Sequence, residues 1–359
     1  ATRAAGFASK GFERMRYSVC ALFLSALSAW SPAAAAEGRV AEICERLLNA
    51  NQWRDHVMVV AHRAGGLQAR KSRFPENSRA ALADAVYSGA EMVEIDVQKS
   101  AEGVYVVMHD TWLDRTTDCK GEVVRFALAE LRECRLKVEA TGEVTAETVP
   151  TLAEMLEAAR GRIMVNIDNK LAPEDLVAMA ELAEGLGMSD QIVVKLNLWN
   201  DARIAEANLL IGRMPRGITF MPIVADDAVR DPELLETVAR AVSANAVELI
   251  AWHAGGEPMT SDGGPLFGAK ARAVAARGDW HLWVNTYAIV NKSAGMLSGG
   301  RGDQLAVDAG LPAEAFGFWV DRGATIIQTD EPGEAIRWLD AKGYRRPYAA
   351  GTEQAVAAE

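Results

Sequence analysis

Short apolar runs of strand type alternate with helical patterns along nearly the whole chain, and this alternation constrains the fold more than any other feature. The run "HVMVVAHRA" (56–64) opens it. "NSRAALADAVYSG" (77–89) follows with alanine, leucine and valine at helical spacing and stops at Gly89. "MVEIDVQ" is the second strand, and "VYVVMHD" continues the strand pattern after a turn at Glu102-Gly103. "TLAEMLEAAR" (151–160) reads as a helix with a capping threonine and a glutamate three residues on. Further strands are predicted at 162–170, 191–196, 218–225, 246–252, 280–288 and 324–330, with helical patterns between them and a last helix over 331–343. Counting "VYVVMHD" with the second strand gives eight β/α units. Such alternation implies a parallel sheet with right-handed crossovers, and eight units over this length predict an α/β fold of the (β/α)8 TIM barrel type. An open doubly wound sheet is the rival, but no Gly-x-Gly-x-x-Gly turn follows the first strand.

Three stretches fall outside the pattern. Residues 111–149 hold more chain than a βα connection needs, and are read as a small insertion after the second strand, beside the barrel mouth. "NKSAGMLSGGRGDQ" (291–304) is rich in glycine and serine and reads as a mobile loop. The chain after Gly343 reads as a poorly ordered tail, so the expected division is a leader over 1–36, a barrel over 37–345 and a tail over 346–359.

The leader is read from the order of its residues. "KGFERMRYSV" is basic, "CALFLSALSAW" is apolar and "SPAAAAE" ends in small residues, which is the pattern of a secretory signal peptide cleaved after Ala36. Its apolar core is too short to span a bilayer. An exported, periplasmic or secreted protein with no stable membrane anchor after cleavage is therefore expected. The net charge is −11, with no block of lysine or arginine in the body of the chain, which argues against nucleic acid and anionic membranes as partners. Export also brings an oxidising environment. Cys119 and Cys134 bracket one compact segment and are expected to pair, contributing roughly 3 kcal/mol by loop entropy, with Cys44 left free.

In a (β/α)8 barrel the active site forms at the C-terminal ends of the strands. Strand one ends "AHRAGG", strand two "EID", its continuation "MHD" and strand three "NIDNK". One mouth thus collects His62, Arg63, Glu94, Asp96, His109, Asp168 and Lys170. Glu94 and Asp96 are two apart on a strand and share a face. Three oxygen ligands favour a hard divalent cation, Ca2+ or Mg2+. A cation flanked by two imidazoles, an arginine and a lysine suits a phosphodiester: the positive groups neutralise developing charge, and imidazoles with an unperturbed pKa near ~6.5 exchange protons near neutral pH.

These residues lie in "VVAHRAGG", "RFPENSRAALADAVYSGAEMVEIDVQKSAEGVYVVMHDTWLDRTTDCKGEV", "VPTLAEMLEAARGRIMVNIDNK" and "GATIIQTDEP". Together they resemble the glycerophosphodiester phosphodiesterase family over roughly residues 57–335. The resemblance implies a barrel with an insertion after the second strand. It implies an acid/base pair in His62 and His109, metal ligands in Glu94, Asp96 and Asp168, phosphate contacts from Arg63 and Lys170, and a metal or loop-supporting role for Glu76. The implied reaction is metal-dependent hydrolysis of a small glycerophosphodiester to an alcohol and glycerol 3-phosphate, through a cyclic phosphate. Three departures stand out: His62-Arg63-Ala64 where His-Arg-Gly is usual, Asp168 where glutamate is commoner, and "WVNTY" where Trp-Thr-Val-Asn is frequent. Two alternatives remain. One is a phospholipase C/D-like enzyme of the same fold, which needs an exposed apolar rim, and the loops show no clear cluster of exposed aromatics. The other is a non-catalytic binding barrel, which the complete histidine, acid and lysine set opposes.

Overall fold

The computed structural model describes residues 32–65, 73–289 and 292–349. Residues 1–31 of the leader call over 1–36, Gly66, Asn291 and the tail beyond Ala349 lie outside the described residues.

The strands are β1 (Met58–Ala61), β2 (Met92–Lys99), β3 (Tyr105–Val107), β4 (Arg135–Lys137), β5 (Val144–Thr148), β6 (Met164–Asn169), β7 (Ile192–Asn197), β8 (Thr219–Ala225), β9 (Ala246–Ile250), β10 (His281–Asn285) and β11 (Ala324–Thr329). Among the described residues eight of them pair in parallel in the order β1-β2-β6-β7-β8-β9-β10-β11, and β11 returns to β1, closing the barrel. The helices are α1 (Pro32–Leu48), α2 (Arg79–Ser88), α3 (Leu128–Leu131), α4 (Leu152–Ala159), α5 (Asp175–Gly185), α6 (Asp201–Ile211), α7 (Pro232–Ala241), α8 (Ala269–Gly278), α9 (Asp303–Val307), α10 (Phe318–Asp321) and α11 (Pro332–Ala341).

The helix signals act as their chemistry dictates. Ser78 Oγ accepts from Ala81 N at the start of α2, and Gly89 ends that helix at φ +88°, a conformation in which a side chain would be strained. Thr151 and Glu154 satisfy each other's backbone N–H groups in a reciprocal box at the start of α4.

Along the barrel axis the inward residues change character. The lower layer is apolar: Met58, Val60, Met92, Met164, Val193, Met221, Trp283 and Ile326 close around Ile43 and Leu47 of α1. The strand alternation does not foresee this plug, because α1 contributes to no β/α unit. Two residues further along the strands the interior turns polar and stays buried, with Glu94, Asn166, Lys195, Glu248, Asn285 and Gln328. Packing closes the bottom, so chemistry is confined to the C-terminal mouth.

The strand continuation is a hairpin: β3 runs antiparallel on β2, outside the barrel ring. The 111–149 insertion packs on the β3 hairpin and shares its core with Val106 and Met108. It holds the β4–β5 hairpin and α3, encloses a core of Leu113, Val123, Leu131 and Leu136, and carries the Cys119–Cys134 disulfide with Cα atoms 5.5 Å apart. Cys44 is free.

Two expectations are corrected. Within 291–304 the described part is fastened, not mobile. Ser298 is buried and pairs with Ala251, Gly299 N donates to Ala251 O, and Asp303 N donates to Thr286 O. The glycines permit close backbone approach there rather than disorder. Residues 344–349 are also ordered. Arg345 and Tyr348 reach the fully buried Glu91, and Arg346 N donates to His56 Nδ1, so a buried carboxylate draws the C-terminal segment onto the barrel bottom.

Candidate active site

Glu94, Asp96 and Asp168 meet at the mouth because register requires it. Asp96 is directly opposite Asp168 across the β2–β6 pair, and Glu94 is two residues back on the same face. One carboxylate oxygen from each lies within 4.8 Å of the others. Burial, then the charge of Asp96, pushes the Glu94 carboxyl up. Burial opposes ionisation of Asp96, but Lys170 and Arg63 hold it down, and Lys195 and Lys170 do the same for Asp168. Lys170 Nζ lies 2.9 Å from both Asp96 Oδ1 and Asp168 Oδ2. Asp96 Oδ1 is nonetheless buried without a hydrogen bond of acceptable geometry. A convergent, oxygen-only donor set with an orphaned buried oxygen is what a metal ion would satisfy.

His62 ends β1. Its Nδ1 lies 2.8 Å from Asp330 Oδ1, at the end of β11, and its ring stacks on Tyr287 with centroids 3.6 Å apart. Burial, then the charge of Arg63, holds the imidazole well below its ordinary value, while Asp96 and Glu76 act in the opposite sense. A neutral ring that donates Nδ1–H to Asp330 keeps its lone pair on Nε2. His109 reaches the same mouth from the hairpin rather than from a barrel strand, brought alongside by Met108 N donating to Asp96 O. Its Nδ1 lies 2.7 Å from Asp110 Oδ1.

Arg63 and Ala64 both take left-handed backbone, at φ +51° and +66°. The usual glycine is thus replaced by an alanine that accepts the strained conformation. The turn aims Arg63 N at Glu94 Oε2 (3.0 Å) and lets Asn77 N donate to Arg63 O. The Arg63 guanidinium bonds Glu76 and lies 3.8 Å from Asp96. Glu76 stands outside the acidic cluster. Burial opposes its charge, yet Arg63 and Arg115 bring it down to about 2, and it bonds both guanidinium groups. Arg115 also grips Asp110 through two bonds, so one guanidinium ties the Arg63 side to the His109 side.

All the residues read from sequence assemble at this mouth. Sequence reading missed Lys195, Asp330, Tyr287 and Arg115. Lys195 is a cation inside an apolar strand and shares a face with Val193, two residues back. Asp330 terminates the last strand in "IIQTD". Pairing Arg115 with Glu76 needs the tertiary fold. Three tryptophans, Trp112, Trp199 and Trp252, are individually exposed. Trp199 and Trp252 follow β7 and β9 at the C-terminal ends of barrel strands and Trp112 lies in the insertion, whereas Trp280, Trp283 and Trp319 are buried.

Fold and site together define a (β/α)8 barrel with an acid–base mouth. A family model described as the glycerophosphoryl diester phosphodiesterase family matches residues 62–256, over half of the chain, and the chain belongs to that family. A second model, described as a domain of unknown function, matches residues 220–339. The chain is 38% identical over 102 residues to a glycerophosphodiester phosphodiesterase from Bacillus altitudinis, covering 28% of this chain and 42% of that protein. It is 34% identical over 128 residues to glycerophosphodiester phosphodiesterase 1 of Mus musculus, covering 35% and 37% respectively. The matches thus span under half the length of these relatives. The fold is similar to that of a glycerophosphoryl diester phosphodiesterase from Parabacteroides distasonis, with TM-score 0.63 and 18% identity over 87% of this chain and 95% of that one. It is also similar to that of a phosphodiesterase from Oleispira antarctica in complex with the product sn-glycerol-3-phosphate. There the TM-score is 0.53 and the identity 20%, over 79% of this chain and 96% of that one.

Proposed function

We propose that the protein hydrolyses glycerophosphodiesters to an alcohol and glycerol 3-phosphate, using a divalent cation held by Glu94, Asp96 and Asp168. The observation that carries this reading is the pair of imidazoles, each with Nδ1 on a carboxylate, at the mouth that holds the acid triad. Hard oxygen donors favour Ca2+ or Mg2+, which when bound neutralises charge on the phosphodiester.

The chain's own residues supply the proton transfers. His62 Nε2 takes the proton of the glycerol 2-hydroxyl as that oxygen bonds to phosphorus. His109 protonates the departing alcohol oxygen as its bond to phosphorus breaks, leaving a cyclic phosphate. His109 then takes a proton from water as the water oxygen attacks phosphorus. His62 returns its proton to the 2-oxygen as the ring opens to glycerol 3-phosphate. Arg63 and Lys170 face the phosphate oxygens, and Tyr287 holds the His62 ring in plane. Chelation should abolish turnover, and Ca2+ or Mg2+ should restore it in the wild type but not in Asp96→Ala. Full turnover after exhaustive chelation would remove the metal from this reading.

A second reading, action on lipid phosphodiesters, is favoured by the exposed Trp199 and Trp252 after the barrel strands β7 and β9 and by the exposed Trp112 of the insertion, since tryptophan suits a lipid–water interface. Turnover of a diester in vesicles faster than of its water-soluble analogue, and lost on changing these tryptophans to serine, would support it. Export follows from the charge–apolar–small order before Glu37, and N-terminal sequencing of the secreted product tests it. Among the described residues no helix is long and apolar enough to cross a membrane.

A further inference from the structure

Lys195 has no part in the proton transfers, yet it is buried directly against the acid triad. It rises from β7 with its side chain 3% exposed, and Nζ lies 3.7 Å from Glu94 Oε1, 3.7 Å from Asp168 Oδ2 and 3.4 Å from Glu248 Oε2. Glu248, from β9, is itself buried. Its Oε1 accepts from Asn285 Nδ2 at 2.6 Å, and Asn285 Oδ1 accepts from Trp283 Nε1 at 2.9 Å. Its Oε2, which faces Lys195, has no hydrogen bond. The two side chains are therefore held as a charge pair beneath the triad rather than as a hydrogen-bonded strut.

The charges around this point can be counted from the contacts. Glu94, Asp96, Asp168 and Glu248 are four carboxylates, and Lys170 and Lys195 are the two ammonium groups in contact with them. Arg63 lies at 3.8 Å from Asp96 but is bound to Glu76 and is matched there. With all four carboxylates ionised, the state that holds a cation, and Arg63 counted with Glu76, the cluster carries two uncompensated negative charges, the complement of one divalent cation. A site neutralised in this way does not repel an arriving phosphodiester anion with leftover carboxylate charge.

We infer that Lys195, balanced by Glu248, is the residue that sets the charge of the acid triad and so fixes how tightly it holds a divalent cation. The inference rests on the reading of Glu94, Asp96 and Asp168 as a cation site. It makes Lys195 a positioning residue that acts through the triad, with no contact to substrate.

Opposite changes below the triad must then move affinity in opposite directions. Lys195→Met keeps most of the apolar stem and leaves three uncompensated negative charges. Glu248→Gln keeps the acceptor for Asn285 and leaves one. The double variant returns to two. The test is calorimetric titration of Mg2+, and separately Ca2+, into chelator-stripped full-length protein, with far-UV circular dichroism and a melt on each variant. Removing or adding one neighbouring charge at this range in a buried site is expected to change the dissociation constant by on the order of tenfold or more. Lys195→Met should bind tighter than wild type, Glu248→Gln weaker, and the double variant close to wild type. A merely structural role would weaken binding in both single variants. If Lys195→Met does not fold, the Glu248→Gln and double variants decide. Glu248→Gln binding as tightly as wild type, or the double variant no tighter than Glu248→Gln, overturns the inference. Equal affinity in all folded variants overturns it while leaving the cation site standing. A wild type that takes up neither ion overturns both.

Discussion

Replacing Asp330 with asparagine should damage catalysis more than replacing it with alanine, and the hydrogen bonds say why. Asp330 Oδ1 faces His62 Nδ1 at 2.8 Å, while Oδ2 accepts from Ala288 N at 2.9 Å. In Asp330→Asn only one side-chain atom can accept. The backbone N–H of Ala288 cannot switch roles, so the amide oxygen goes to it and the NH2 group turns toward His62. The imidazole then offers Nδ1 as acceptor and carries its proton on Nε2, where the base needs a lone pair. A misplaced tautomer forfeits most of the general-base contribution, about 10²–10⁴-fold in kcat, or roughly 3–5 kcal/mol in the barrier. Asp330→Ala removes the orienting carboxylate but leaves both tautomers accessible, so its loss should be smaller, on the order of tenfold. The fold should not suffer. Burial, then the charge of Asp330, pushes the neighbouring Asp303 up to about 7, so removing that charge relieves a repulsion. The assay is kcat on a glycerophosphodiester at saturating cation, with a melt alongside. An asparagine variant within about threefold of wild type, or an alanine variant slower than the asparagine one, would refute the reasoning.

Three further outcomes are expected. His109→Ala should lose about 10²–10⁴-fold on an alkyl diester yet recover most of it on an aryl diester, whose leaving oxygen hardly needs a proton; equal losses on both would reject the acid assignment. Glu91→Gln should cost about 3 kcal/mol, read by urea denaturation, because it removes the fully buried carboxylate that pairs with Arg345 and leaves that guanidinium with the exposed Asp340 as its ionic partner. Burial opposes the charge of Glu91, but Arg345 and then His56 hold the carboxyl below the usual range. Its stabilisation is therefore present above the unfolded value near ~4.3 and lost as pH falls through the lower folded one. The variant should accordingly show the flatter stability profile below about pH 5. Reducing Cys119–Cys134 should loosen the insertion by roughly 3 kcal/mol and leave the barrel melt in place. A shift of the whole transition would contradict a separately cored insertion.

Much of this architecture is legible in the residues because the signals are local. Alternation marks the barrel strands, Ser78 and Thr151 mark helix starts, and the two-residue spacing of Glu94 and Asp96 marks their common face. What escapes is what depends on contacts between distant segments. The chain after Gly343 looks like a tail until Glu91 is known to be buried and to require Arg345 and Tyr348. The glycines of 295–302 look like slack until the backbone of 251–260 lies against them. Lys195 is visible as a cation in an apolar strand, but its meaning depends on strand register bringing Asp168 and Glu248 to either side. The exposure of Trp112, Trp199 and Trp252 is invisible in sequence, where tryptophan reads as core.

The central claim is that this mouth cleaves a glycerophosphodiester on the alcohol side of phosphorus through attack by the neighbouring hydroxyl. Phosphorus NMR of glycerophosphocholine incubated with the protein and Mg2+ or Ca2+ tests it most directly. Glycerol 3-phosphate is expected as the sole end product, preceded by a five-membered cyclic phosphate resonance, with both signals absent in His62→Ala. Phosphocholine as the product, or no turnover with either ion, would contradict it.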